Sequence, residues 1–208
     1  MMLTYNPQML LSEMKPTVST MAAVLAVLTF HVVTVPSQGT DEKLAQEMKC
    51  LNVIPSNQCN LEVTYGSPVG TLQCDQKVPQ TQGNTLTVPP VLTVSPGIGT
   101  IRRVVMVMVD PDAPVSKTEG FVHWIADATV DPAGSVITGT EYIDYYPPTP
   151  PIGHGEHRYQ FFLYRLQDDQ SLNVSKSRKF SLCSFVDKNQ LGKPVAATQF
   201  RFERLQTE

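Results

Sequence analysis

Two carboxylates, two prolines and a histidine stand close together in this chain: Asp110-Pro111-Asp112-Ala113-Pro114, then His123-Trp124. A second polar cluster follows downstream, Gly153-His154-Gly155-Glu156-His157-Arg158-Tyr159. Imidazole, phenol and backbone amides donate hydrogen bonds, and a carboxylate can orient a histidine and fix its tautomer. Brought together, these groups suit a phosphate-type anion: His123, His157 and Tyr159 as donors, Gly-rich backbone amides beside them. No nucleophile with its base can be picked out. Ser116 lies beside the Asp-Pro-Asp turn, but no spacing pairs it with a base. An acid–base reading on a phosphoester has only His123, His157 and Asp110 to draw on and ranks last.

Taken singly, each residue has a plainer reading. Asp110 and Asp112 fall in a turn fixed by Pro111 and Pro114, where Asp112 can bond its own backbone. His123 sits in an apolar strand, FVHWI, where a lone histidine is more often part of the core. Trp124 would face the other way in a regular strand and serve packing. His154 and His157 form an HxxH pair, but a Gly-rich loop positions zinc ligands poorly, so no metal or other cofactor is expected. Arg158 is suited to a bidentate bond with a carboxylate that would hold the loop. The chemistry depends on whether the two clusters meet.

The elements that must bring them together read as strands. Leu61–Tyr65 alternates and ends in a Gly66-Ser67-Pro68 turn, with Val69–Val78 as the returning strand. Thr85–Val88 alternates before Pro89-Pro90, and Val91–Val94 follows. Arg102–Val109 is β-branched and nearly all apolar, so it is expected to be buried on both faces. Phe121–Thr129, Ser135–Thr138, Tyr159–Leu166 and Gln199–Leu205 complete the strands. Phe180–Leu191 reads as a helix stopped by Gly192. Short strands spaced by Gly and Pro turns predict an all-β fold, a single-domain antiparallel β-sandwich with one or two short helices. There is no repeat, no GxGxxG, no P-loop and no GxSxG, so dinucleotide, NTP and lipase-type readings lack their motifs.

The bulk properties narrow the partners. A chain of 208 residues with a net charge of −3 has no basic field for nucleic acid. The short run Lys176–Lys179 reads as a solvated loop. Met21–Val35 is an apolar run with Lys15 upstream and Ser37 and Gly39 after it, the pattern of a secretory signal cleaved before Thr40. Residues 1–39 are therefore read as signal, with 1–13 an extension ahead of a more natural start at Met14. The run is short for a membrane span, so no span is expected in the mature chain. Residues 40–60 form an N-terminal arm with a short helix. Export favours two disulfides among Cys50, Cys59, Cys74 and Cys183. Of the three pairings, Cys50–Cys59 with Cys74–Cys183 is preferred. Asn173-Val174-Ser175 is a glycosylation sequon at Asn173, in keeping with a secreted, extracellular protein.

The two clusters resemble the two signatures of the phosphatidylethanolamine-binding protein family, also known as the Raf kinase inhibitor or carboxypeptidase Y inhibitor family. Asp-Pro-Asp-Ala-Pro at 110–114 with Phe-Val-His-Trp at 121–124 looks like the first. Pro150-Pro151-Ile-Gly-His-Gly-Glu-His157-Arg158-Tyr159 looks like the second. The strand Leu61–Tyr65 and the ending Lys193–Phe200 also resemble the family's first and last strands. The likeness covers Leu61 to about Leu205, so residues 61–208 would form the family's domain. It implies a β-sandwich whose small pocket binds phosphate-type anions and phospholipid head groups such as phosphatidylethanolamine. By position, the ligand-binding residues would be Asp110, Ala113, Pro114, Phe121, His123, Pro150, Pro151, His157 and Tyr159, with Asp112, Arg158 and Phe200 in support. His123 and His157 would donate to the anion, and Asp110 would orient a histidine or meet an ammonium. The resemblance thus implies a non-enzymatic binding protein; the signal makes it secreted, and a monomer is expected. The alternative is a serine carboxypeptidase inhibitor, or a modulator of signalling or immunity, acting through surface loops. Three departures stand at the expected rim: Phe121 for the family's tryptophan, Val115-Ser116 for Ser-Arg, and Phe200 for tyrosine.

Overall fold

The computed structural model describes Ile54, residues 59–96, Ile101, residues 103–115 and residues 118–206. All of them belong to the unit Ser37–Glu208. The predicted signal, the helix of the arm, Cys50 and Ser116 lie outside the described residues.

Strands β1 (Leu61–Thr64), β2 (Thr71–Leu72) and β4 (Val91–Val94) form a small antiparallel sheet in the order β2-β1-β4. The larger sheet runs β3 (Gln76–Val78), β10 (Ala196–Phe202), β8 (His157–Arg165), β5 (Val104–Asp110), β6 (Gly120–Val130), β7 (Val136–Ile143). A two-residue strand, β9 (Lys179–Phe180), pairs with the start of β6. Most pairings are antiparallel, as expected, but β3 runs parallel to β10.

Every residue of β5 is buried. Its alternate side chains divide between two cores, as an apolar run in a doubly covered strand must. Val104, Met106 and Met108 face the small sheet and join Leu61, Val63, Leu92, Val94 and Phe161. Val105, Val107 and Val109 face the other way and pack with Phe162, Phe180, Leu182 and Phe185. That second cover is the helix α1 (Leu182–Lys188), whose cap Ser181 accepts a hydrogen bond from the Ser184 amide. The predicted helix Phe180–Leu191 is shorter at both ends. Phe180 is drawn into β9, and Gln190 and Gly192 take positive φ of 51° and 66° beyond the last turn. No helix among the described residues is long and apolar enough to cross a membrane.

Three expectations give way. Thr85–Val88 is not a strand: Gln80–Thr87 is a 3-10 helix bounded by Pro79 and Pro89. Leu86 is buried while Val88 is 55% exposed, so the alternation has no common buried face. Val69–Val78 splits into β2 and β3, which belong to different sheets, and Asp75 at φ 60° turns the chain between them. The disulfide is Cys59–Cys74, so both Cys50–Cys59 and Cys74–Cys183 are excluded. Cys59 precedes β1, where Asn60 donates to the Ala197 carbonyl, and Asp75 donates to the Gln199 carbonyl. Strand β10 therefore draws the two cysteines to one place, with Cα atoms 5.9 Å apart, inside the range a disulfide spans. Cys183 is also disulfide-bonded.

Candidate functional site

Strand β5 ends at Asp110, while its antiparallel neighbours β6 and β8 begin at Gly120 and His157. Antiparallel pairing thus delivers both sequence clusters to one end of the large sheet. There Asp110, Ala113, Pro114, Phe121, His123, Pro150, Pro151, His157 and Tyr159 line one pocket of about 280 Å³, together with Val115, Tyr146 and Thr149.

Gly120 makes the turn fit. A Cβ on it would lie 2.5 Å from the Asp110 carbonyl oxygen and 3.2 Å from Pro111 Cα, so the Asp-Pro-Asp backbone passes where a side chain would stand. Within the turn, Asp110 Oδ1 accepts from the Asp112 amide. The bond thus comes from the neighbouring carboxylate, not from Asp112 to its own backbone. Asp110 Oδ2 lies 2.7 Å from His157 Nδ1, with both residues buried. This bond holds the His157 imidazole above its ordinary pKa, against the opposing effect of burial. Asp112 accepts from Arg158 three times: from the backbone amide at 2.9 Å, Nε at 2.8 Å and Nη2 at 2.7 Å. Burial works against the Asp112 carboxylate, but these bonds hold it below its usual range. The bidentate lock expected of Arg158 is therefore made inside the site.

His123 reaches the pocket through an irregularity. Met108 pairs with Trp124 and Val109 with Val122, which leaves His123 as an extra residue on β6. Such a bulge re-aims a side chain. Val122 packs on the helix side and Trp124 on the small-sheet side. His123 lies against Phe121 at 4.9 Å, Tyr159 at 5.1 Å and Tyr146 at 5.8 Å between ring centres. Trp124 is buried and donates to Glu141, so its packing role holds without the regular strand assumed for it. His123 Nδ1 donates to the Tyr146 carbonyl at 2.7 Å, since a carbonyl only accepts. Burial pushes the ring down to about 4, so at neutral pH it is uncharged. Its Nε2 then carries a lone pair. That nitrogen can accept a hydrogen bond.

Tyr159 closes the floor. It is fully buried, and its hydroxyl makes no hydrogen bond among the described residues. Burial pushes the phenol well up, so it stays protonated and able to donate. Phe200 supports it from beneath with stacked rings 5.3 Å apart. Phe200 is wholly buried in the core and does not stand at the rim.

The sequence reading missed Tyr146, Thr149 and Arg178. The signal for the first was Tyr145-Tyr146 ahead of Pro147-Pro148. Tyr145 turns to the core, bonding Tyr65 and the Leu86 carbonyl, while Tyr146 lines the pocket. Arg178, assigned to a solvated run, instead donates to the carbonyls of Val122, His123 and Asp144. Its guanidinium also stands 5.1 Å from the Tyr146 ring and 5.8 Å from Phe121. His154 is exposed, and no group of three metal-binding side chains occurs among the described residues.

The family model described as phosphatidylethanolamine-binding protein matches residues 62–201. Among solved structures, a carboxypeptidase Y inhibitor complexed with its cognate proteinase is 21% identical, with a TM-score of 0.58 over 80% of this chain and 93% of that one. A phosphatidylethanolamine-binding protein from Plasmodium vivax is 17% identical, with a TM-score of 0.50 over 79% and 95%. Another from Plasmodium falciparum is 17% identical, with a TM-score of 0.50 over 81% and 98%. At these identities the structures speak for the fold alone.

Proposed function

Because this chain belongs to the phosphatidylethanolamine-binding protein family, we propose that its pocket binds the phosphate-type anion of a phospholipid head group and performs no chemistry on it. The observation that carries this is the meeting of His157, Tyr159, His123 and Asp110 around one small pocket. His157, held toward its charged form by Asp110 at Nδ1, has Nε2–H to offer the ligand. Tyr159 adds a second donor, and its burial strengthens the bond it can make. The Thr149 hydroxyl at the pocket wall donates to the Pro147 carbonyl at 3.3 Å.

Export completes the proposal. The Cys59–Cys74 disulfide suits an oxidising compartment, and the sequon residue Asn173 is exposed. Intact-mass analysis of protein from secreting cells, before and after glycosidase, is expected to show a mature chain beginning near Thr40 and a glycan at Asn173. Titration calorimetry with phosphoethanolamine tests the pocket. The wild type is expected to bind, and His157→Ala to lose at least tenfold. Equal binding by the two proteins would refute the site.

A further inference from the structure

Hydrogen-bond polarity divides the pocket. His157 gives Nδ1–H to Asp110, and this carboxylate favours the charged imidazolium, in which Nε2 also carries hydrogen and donates. The Tyr159 hydroxyl is buried without a partner among the described residues and can act as a second donor. His123 is opposite: its Nδ1–H is spent on the Tyr146 carbonyl, leaving Nε2 as the nitrogen available to a ligand. A second proton on that ring is opposed by its enclosure among Phe121, Tyr146 and Tyr159, and by the Arg178 guanidinium bonded to the ring's own backbone carbonyl. Asp110 and His157 are the other ionisable groups that act on it, and they are paired with each other.

We infer that the pocket selects anions that also carry a hydrogen-bond donor, with His123 Nε2 as the acceptor that sets this preference. The inference rests on the proposed anion pocket and narrows its ligand class. An anion without a donor leaves a buried acceptor unpaired, which is the costly mismatch in recognition. Two sources supply the donor: the P–OH of a singly protonated phosphomonoester, or the ammonium of an ethanolamine phosphodiester.

The test is calorimetry on the full chain at pH 6, near the second pKa of a phosphomonoester at about 6. Methyl phosphate is compared with sulfate, and glycerophosphoethanolamine with glycerophosphocholine. In at least one pair the donor-bearing probe is expected to bind tenfold tighter or more, and the pair that discriminates identifies the source. His123→Phe keeps a ring in the aromatic wall but removes the acceptor. It is expected to reduce that ratio to below threefold. Nitrogen NMR of the wild type is expected to show His123 protonated at Nδ1 alone. Equal binding within both pairs, or a protonated Nε2 at pH 6, overturns the inference and leaves the anion pocket standing. Failure of all four probes overturns the anion pocket itself.

Discussion

The two walls of the pocket use the same residue type to opposite effect. On one wall, His157 is buried against Asp110, with Asp112 and Arg158 locked behind it, and its imidazole is held toward the charged form. On the other, His123 is buried among rings and bonded to a backbone carbonyl, and its imidazole is held neutral. Burial disfavours charge at both sites. A carboxylate 2.7 Å away reverses that for His157, and a carbonyl cannot do so for His123. The environment of each imidazole, not its identity, makes one a donor and the other an acceptor.

The largest expected effect comes from unpairing the charged wall. Asp110→Ala leaves His157 buried without its partner, and loss of one member of a buried pair costs about 3–5 kcal/mol. Urea unfolding at neutral pH measures it. A loss under about 1 kcal/mol would mean that the pair does not hold this wall.

Next comes the pH response of the neutral wall. The folded His123 titrates near 4, below its ordinary 6.5, so the unfolded chain takes up the proton first as the pH falls. Its contribution is complete above about 6.5 and is lost between about 6.5 and 4, to the extent of about 3 kcal/mol. His157 has the opposite sign: its raised pKa stabilises fully below about 6.5, and that support is lost as the pH rises through the raised value. Unfolding free energies from pH 7 to 4.5 are expected to fall less steeply in His123→Phe than in the wild type. An unchanged slope would count against a neutral, buried His123.

A smaller loss, about 2 kcal/mol, is expected from Arg178→Ala, which releases three carbonyls behind the aromatic wall. Arg103→Ala is the matched control, since Arg103 clamps the carbonyls of Gln167, Asp168 and Gln170 at the other end of β5. The His123 ring signals are expected to shift in Arg178→Ala and to stay put in Arg103→Ala. Shifts of the same size in both would reduce Arg178 to general scaffolding. The smallest effect belongs to Glu156→Gln, which alters exposed ion pairs with Lys77 and Arg201. No resolvable change in unfolding at physiological salt is expected there.

The charged wall was the more legible of the two in the sequence. Asp110, Asp112, His157 and Arg158 are short-range features beside turn-forming prolines and glycines, and their pairing follows from charge and reach. The neutral wall was less so. Arg178 lies 19 residues beyond the second cluster, and although Tyr146 stands just ahead of that cluster, nothing local ties either residue to His123. The neutral state of His123 was not legible because it depends on burial and on the Tyr146 carbonyl, which the loop after β7 brings to its Nδ1. Thr85–Val88 misled because alternation indicates a strand only where one face is buried.

By itself the sequence determined the strand-rich fold, the doubly buried β5 and most of the residues that line the pocket. Periodicity, turn chemistry and residue type are local properties. Only the tertiary structure decided that the Cys59–Cys74 disulfide forms, that His123 bulges from β6, and which partner each histidine's Nδ1 meets. Each of these depends on which backbone lies alongside a residue distant in the chain, and hydrogen bonds, burial and covalent reach act through space.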